Sequence, residues 1–211
     1  MLRFTVIIFF LSFLLSCNSN SDFQETEQKI VDSIAIQLND SAMERYQDYV
    51  FGRDESITNL EVAIEELNQA IEIEPEVANF YTNRSQLLLL LGKNDEAIEE
   101  LKKILSFEPF FAEVIEGIGY IHEINSNYSE AQEWYQEAIK VYKKRINEDQ
   151  YVLNSKLAIV HLLFFTENEE SAHQAYRELK QEYPESEEIQ FAEPFFEEFD
   201  REKFLRDFQG K

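Results

Sequence analysis

The stretch ANFYTNRSQLLLLLGKNDEAIEELKKILSFEPFF, residues 78–111, decides the fold. Its apolar residues recur at spacings of three and four, the period of an amphipathic helix. Gly92 divides it into two such segments and Pro109 closes the second, so it reads as a helix–turn–helix unit. Moved by 34 residues in either direction, the pattern returns. Ala97 is matched by Ala63 and Ala131, Leu101 by Leu67 and Tyr135, Ile104 by Ala70 and Ala138, and Pro109 by Pro75. A fixed period of small, bulky, small and proline positions marks an array of stacked helix pairs.

Each position has a physical task. Antiparallel helices that approach closely need a small residue where their backbones meet, which assigns Ser85 to Ala97 and Gly119 to Ala131. Ala70 and Ala138 let a second helix lie against the next pair. Gly92 supplies the positive φ of a tight turn. Pro75, Pro109 and Pro184 end second helices, because proline cannot donate the helical hydrogen bond. No single pair can bury its apolar face, so stacking makes the core.

The remaining pairs are less regular. Residues 112–145 carry Gly119, Tyr128, Ala131, Tyr135 and Ala138, but Lys143 stands in the proline position and lets the second helix run on. A fourth pair, shifted by seven extra residues, shows Ala172, Tyr176, Leu179 and Pro184. The first pair has a clear second helix, NLEVAIEELNQAIEIEP, after an irregular first helix within residues 30–51 and a long GRDES loop.

On these residues the chain resembles tetratricopeptide repeat proteins. The best unit, 78–111, places Tyr81, Ser85, Leu88, Gly92, Ala97, Leu101, Ile104 and Pro109 as that family does. The resemblance implies an all-α, right-handed superhelical solenoid of antiparallel helix pairs. It covers roughly three and a half to four repeats, above the minimum of about three for a stable array. The expected division is a repeat domain over 30–185 followed by C-terminal capping helices over 186–211. In the cap, Pro194 is expected to start a helix, with Phe195, Phe199, Phe204 and Phe208 in one apolar stripe. An exposed aromatic tail that docks a partner is the alternative for this segment.

The N-terminus has another character. Arg3 precedes FTVIIFFLSFLL, an apolar run of 12 residues that suits a signal-peptide core and is too short to span a bilayer. Ser16 and Cys17 follow, and Cys17 is the only cysteine, so no internal disulfide can form. LLSC, residues 14–17, resembles the bacterial lipobox, whose cysteine becomes the diacylated first residue of the mature protein. That resemblance implies a signal peptide over 1–16, lipidation at Cys17 and a polar tether over 17–29. It places the protein in the cell envelope of a Gram-negative bacterium. Asn18 follows the cysteine, rather than the aspartate of inner-membrane retention, and directs the expectation to the outer membrane.

Charge excludes some partners. Without residues 1–16 the chain carries 18 Lys plus Arg against 42 Asp plus Glu, a balance of 18 − 42 = −24. Nucleic acid needs clustered cations and is excluded. No zinc spacing, phosphate loop or nucleophile motif occurs, and His122, His161 and His173 show no i, i+4 pairing. The expectation is therefore no enzyme, no cofactor and no metal.

The family binds ligands in a groove lined by first helices. Carried over, that face comprises Asn79, Thr82, Gln86 and Leu89 from one pair. The next gives Glu113, Glu116, Tyr120 and Glu123, and the fourth gives Asn154, Leu157, His161 and Phe164. None is Lys or Arg, so the family's basic clamp for acidic peptides is absent, and a basic or amphipathic protein segment fits better. The implied function is a lipid-anchored scaffold for protein–protein contacts. Alternatives are a subunit of an envelope assembly machine for outer-membrane barrels or pili, or an adaptor for cell-wall enzymes.

Overall fold

The computed structural model describes residues 31–210. The signal peptide, Cys17 and the tether lie outside the described residues. Among the described residues there are ten α-helices and no strand. These are α1 Ser33–Val50, α2 Ile57–Ile73, α3 Ala78–Leu90, α4 Asn94–Phe107, α5 Ala112–Ile124, α6 Tyr128–Asn147, α7 Val152–Thr166, α8 Glu169–Glu182, α9 Glu187–Glu197 and α10 Arg201–Phe208. The all-α class built of helix hairpins is thus present, and the repeat frame falls on α3–α4 and α5–α6. The residues form two compact bodies, one running to Glu100 and including Arg206 onward, the other Leu101–Leu205.

In the first body, α1 packs along α2, and α3 covers both. Ala35, Ala42, Leu60, Ala63, Leu67, Ala70, Phe80 and Leu87 form its core. Helix α1 lies within the expected residues 30–51 and runs unbroken for 18 residues. The Asp32 carboxylate caps it by accepting from the Ile34 amide at 2.7 Å. Behind α3, Arg84 joins two helices. Its Nε donates to Glu100 Oε2 at 3.0 Å and its Nη1 to Asn68 Oδ1 at 2.6 Å.

In the second body, α5 pairs with α6, α6 with α7, and α7 with α8. Tyr120, Tyr135, Tyr142, Ile118, Ile121, Leu162 and Phe196 are among its largest fully buried side chains. Second helices stop where proline requires it. Helices α2, α4 and α8 end at Ile73, Phe107 and Glu182, two residues before Pro75, Pro109 and Pro184. The residue before proline leaves the helical region, as Glu74 (φ −132°, ψ 84°) and Tyr183 (φ −127°, ψ 61°) do. Where Lys143 replaces proline, α6 continues for 20 residues to Asn147.

The first helices α3 and α5 end in the same motif. Gly92 adopts φ 72°, and the Lys93 amide donates to the Leu88 carbonyl at 2.8 Å. Thirty-four residues on, Ser126 adopts φ 62° and the Asn127 amide donates to the His122 carbonyl at 2.8 Å. Both are Schellman caps with a left-handed residue after the helix. Glycine bears that conformation freely, whereas serine carries its Cβ into it.

The C-terminal segment departs from expectation. Pro194 does not start a helix but lies inside α9. Ser186 starts that helix instead, its hydroxyl accepting from the Ile189 amide at 3.3 Å, ahead of two first-turn glutamates. The helix breaks at Phe199, and Asp200 starts α10 by accepting from the Lys203 amide at 2.8 Å. The phenylalanine stripe is therefore split between two helices. Helix α9 covers α8, with Phe196 stacked on Tyr176 at 4.5 Å and the Tyr176 hydroxyl donating to the Ile189 carbonyl at 2.6 Å.

Candidate functional site

The first helices α5 and α7 of the second body present a polar and aromatic face. It is organised around two carboxylates. Glu116 accepts from two phenols: Tyr120 of its own helix at Oε1, and Tyr142 of α6 at Oε2, 2.7 Å away. The Tyr120 oxygen also lies 3.0 Å from His161 Nδ1 of α7. Seven residues along α5, Glu123 accepts from the Tyr135 hydroxyl at 2.9 Å. Its other oxygen accepts from Arg201 Nε of α10 at 2.5 Å.

Burial sets the protonation of this cluster. Tyr120 and Tyr142 are enclosed, and desolvation first, then the charge of Glu116, hold both phenols well above their usual range. Tyr135 is raised by the same order of causes, with Glu123 as the neighbouring charge. These groups are fixed donors at ordinary pH. The Tyr120 proton goes to Glu116, and the Tyr120 oxygen faces His161 Nδ1. His161 Nε2 is buried without a hydrogen-bond partner.

This arrangement braces a surface. Its phenols and carboxylates are spent on one another, which leaves no solvent-open nucleophile beside a base. No group of His, Cys, Asp and Glu suited to a metal ion occurs among the described residues.

The predicted groove residues have distinct fates. On α3, Asn79 is exposed, Thr82 and Gln86 are half-buried, and Leu89 is buried in the first body. In the second body, Glu116, Tyr120 and His161 are brought into one hydrogen-bonded cluster. Leu157 is buried, Phe164 packs on Phe199 at 4.2 Å, and Asn154 is half-buried. The three glutamates were expected to be free docking charges, and they are not. Glu116 and Glu123 are only 7% and 6% exposed, because tyrosines of α6 close over them. Glu113 is paired with Arg145, whose Nη1 and Nη2 reach it at 2.6 and 3.0 Å.

The open side of this face is covered by α10. Phe204 lies edge-on to Tyr120 at 5.0 Å and to His161 at 4.8 Å. The Arg201 guanidinium sits over Phe165 at 5.1 Å. Sequence reasoning missed Arg201 and the bracing role of Tyr135 and Tyr142. One signal was present. Tyr135 stands where Leu67 and Leu101 stand in other pairs, and a buried phenol needs a partner that leucine does not.

The fold and site define a helix-hairpin repeat protein with a structured first-helix face. Residues 78–111 and 112–145, the pairs α3–α4 and α5–α6, match the model of the tetratricopeptide repeat. Human tetratricopeptide repeat protein 13 is 28% identical over 122 residues, 58% of this chain and 14% of that protein. The small glutamine-rich tetratricopeptide repeat-containing protein 2 of Mycosarcoma maydis is 30% identical over 79 residues, 37% of this chain and 22% of its own length. The STIP1 homolog of Dictyostelium discoideum is 36% identical over 66 residues, 31% of this chain and 11% of its own. The chain thus spans less than a quarter of the length of these relatives. A solved tetratricopeptide repeat protein from Parabacteroides merdae aligns with a TM-score of 0.40 and 14% identity, covering 88% of this chain and 87% of that one.

Proposed function

We propose that this protein is a scaffold for protein–protein contacts, held at the cell envelope through a lipidated Cys17. The observation that carries the scaffold reading is the face of α5 and α7. Buried tyrosines hold its carboxylates in place, and the chemistry it accepts is that of a helix bearing a cation and an aromatic ring. Preorganised groups of that kind favour recognition, since little ordering is left to be done on binding.

The anchoring reading rests on sequence. An apolar run of 12 residues ends at LLSC, and one acyl chain alone gives only marginal attachment, so diacylation is what would hold the protein stably. No helix among the described residues is long and apolar enough to cross a membrane.

Two measurements test the proposal. Intact-mass analysis of the native protein should show a lipidated Cys17, and Cys17→Ala should release the chain from the membrane. An unmodified Cys17 in membrane-bound protein would remove the anchor from the account. Native purification should bring down a protein partner, and Asn154→Arg, on the rim of the face, should lose it while helicity persists. Substrate turnover by the pure chain with nothing co-purifying would replace the scaffold by an enzyme.

A further inference from the structure

The first helix pair repeats an ion pair of the second and leaves it open. In the second pair, Arg84 of α3 bridges to Glu100 of α4, and its Nη1 reaches back to Asn68 Oδ1 of α2 at 2.6 Å. One repeat earlier Glu66 stands where Glu100 stands. Arg45 of α1 bridges to it at 3.1 Å, and the Ser41 hydroxyl donates to the same carboxylate at 2.9 Å. Among the described residues no helix pair precedes this one, and Arg45 Nη1 turns to Asn59 of its own pair at 3.5 Å. The arginine side chain is 12% exposed in the covered bridge and 35% exposed in the open one.

Aliphatic side chains extend the open bridge into a seam. Ile34, Ser41 and Arg45, at intervals of seven and four, share one face of α1. Val62, Glu66 and Ile73, at intervals of four and seven, share the facing side of α2. The Asp32 amide donates to Glu74 Oε1 at 3.2 Å, which brings the Ile34 end of α1 to the Ile73 end of α2. Ile34, Val62 and Ile73 are 58%, 39% and 41% exposed. By contrast Ala42, Leu60, Ala63 and Leu67 of the same helices are buried in one core with Phe80 and Leu87 of α3. A solenoid end that faces water needs a polar outer surface, and this one is aliphatic along its length.

Charge and composition narrow the occupant. Residues 31–77 hold 2 Arg against 12 Asp plus Glu, a balance of 2 − 12 = −10. Both cations are engaged inside the pair, Arg45 with Glu66 and Arg53 with Asp48 at 2.6 Å. Two copies meeting through this end would oppose two anionic surfaces, and an anionic lipid surface would be repelled in the same way. The chain's own residues 18–30 carry Phe23 and Ile30 as their only large apolar side chains, too few to fill a seam one helix long.

We propose that the seam between α1 and α2 is a docking surface for a basic, aliphatic helix of a partner protein. That helix lies on the first pair as α2 lies on the second. Its aliphatic residues cover Ile34, Val62 and Ile73, an Asn or Gln oxygen accepts from Arg45 Nη1, and flanking Lys or Arg face the acidic rims. The surface belongs to the first body and is separate from the face of α5 and α7, so it goes beyond the scaffold reading drawn from that face.

The probe is a helix-stapled fluorescent peptide of residues 57–73 carrying Glu61→Lys, Glu65→Lys and Glu72→Lys, titrated by anisotropy into the full chain. It keeps the buried side chains of α2 and Asn68. Saturable binding is expected. Ile34→Arg and Ile73→Arg, at exposed positions of the chain, should each weaken it at least about tenfold with helicity unchanged. Asn68→Ala in the peptide should also weaken it, and Asn154→Arg, in the second body, should leave it unchanged. No saturable binding would overturn the proposal. So would equal binding by wild type and both variants, or equal binding of a peptide with Leu67→Asp. A wild-type dimer that Ile34→Arg dissolves would assign the seam to a second copy. Flotation of the Cys17→Ala chain with phosphatidylcholine vesicles, abolished by Ile34→Arg, would assign it to lipid. Amide protection over residues 18–30 that the peptide removes would assign it to the chain's own tether. Each of these three overturns the partner assignment. If Asn154→Arg loses a captured partner while the peptide fails to bind, this inference falls and the scaffold reading stands.

Discussion

Arg201 donates to Glu123 across 78 residues of sequence, and Glu123 spends its other oxygen on Tyr135. The carboxylate is enclosed, so removing the guanidinium leaves a buried charge one donor short. Arg201→Ala should cost about 1.5–3 kcal/mol, the range for hydrogen bonds to charged groups. Arg201→Lys should recover only part of this, because an ammonium lacks the planar fork of arginine. Urea unfolding checks it: midpoints for Arg201→Ala and wild type that coincide would mean the pair contributes nothing.

Two glycines of α5 should respond in opposite directions. A Cβ on Gly119 would lie 2.5 Å from the Tyr135 ring, and that ring is locked by its bond to Glu123. Gly119→Ala should destabilise by roughly 1–3 kcal/mol through overpacking. A Cβ on Gly117 would meet Leu101 Cδ1 at 3.6 Å, an ordinary contact. Gly117→Ala should therefore stabilise by about 0.5–1 kcal/mol, the usual gain of alanine over glycine inside a helix. Thermal melts of the two variants decide the matter, and shifts of the same sign would contradict this packing.

Ser126 offers a second stabilising change. It holds φ 62° in the position that Gly92 fills one repeat earlier. Ser126→Gly should relieve part of the roughly 1–2 kcal/mol cost of a side chain in the left-handed region. The gain is reduced by the greater freedom of glycine in the unfolded chain. A lower melting temperature for Ser126→Gly would contradict the repeat alignment of the two caps.

The buried phenols fix the alkaline limit. Tyr120 and Tyr142 have folded-state pKa values well above their unfolded value of about 10, through burial and then Glu116. A group raised in this way contributes its full stability below the unfolded pKa and loses it as pH rises toward the folded one. Stability should thus hold up to about pH 9 and fall beyond pH 10, each of these two phenols taking about 1.4 kcal/mol per pH unit. Tyr176, raised to about 12 by burial and then by Glu193 and Glu197, adds to the same trend. Absorbance at about pH 11 should show Tyr120 and Tyr142 un-ionised until urea unfolds the chain. Ionisation of all ten tyrosines in the folded protein would contradict the cluster.

Much of the helical frame was legible because it is local and periodic. Small residues at Ala63, Ala97 and Ala131, and prolines two residues past α2 and α4, encode pairs and their ends within one repeat. The regular first helix α1 was harder to read, since its apolar positions follow the repeat poorly. The site was mostly illegible. Acidic residues in so acidic a chain read as a solvated face, and nothing local says that Tyr135 and Tyr142 close over Glu123 and Glu116. The landing of α10 on α5 and α7 depends on pairings 78 residues apart, which no period carries.

Native-state hydrogen exchange of the full chain tests the central claim most directly. If the buried phenols and carboxylates brace a preformed face, the amides of α5 and α7 should exchange only near the global limit. Those of α6, which carries Tyr135 and Tyr142, should behave likewise. Exchange of α5 and α7 through a local opening, at free energies well below the global value, would contradict the claim.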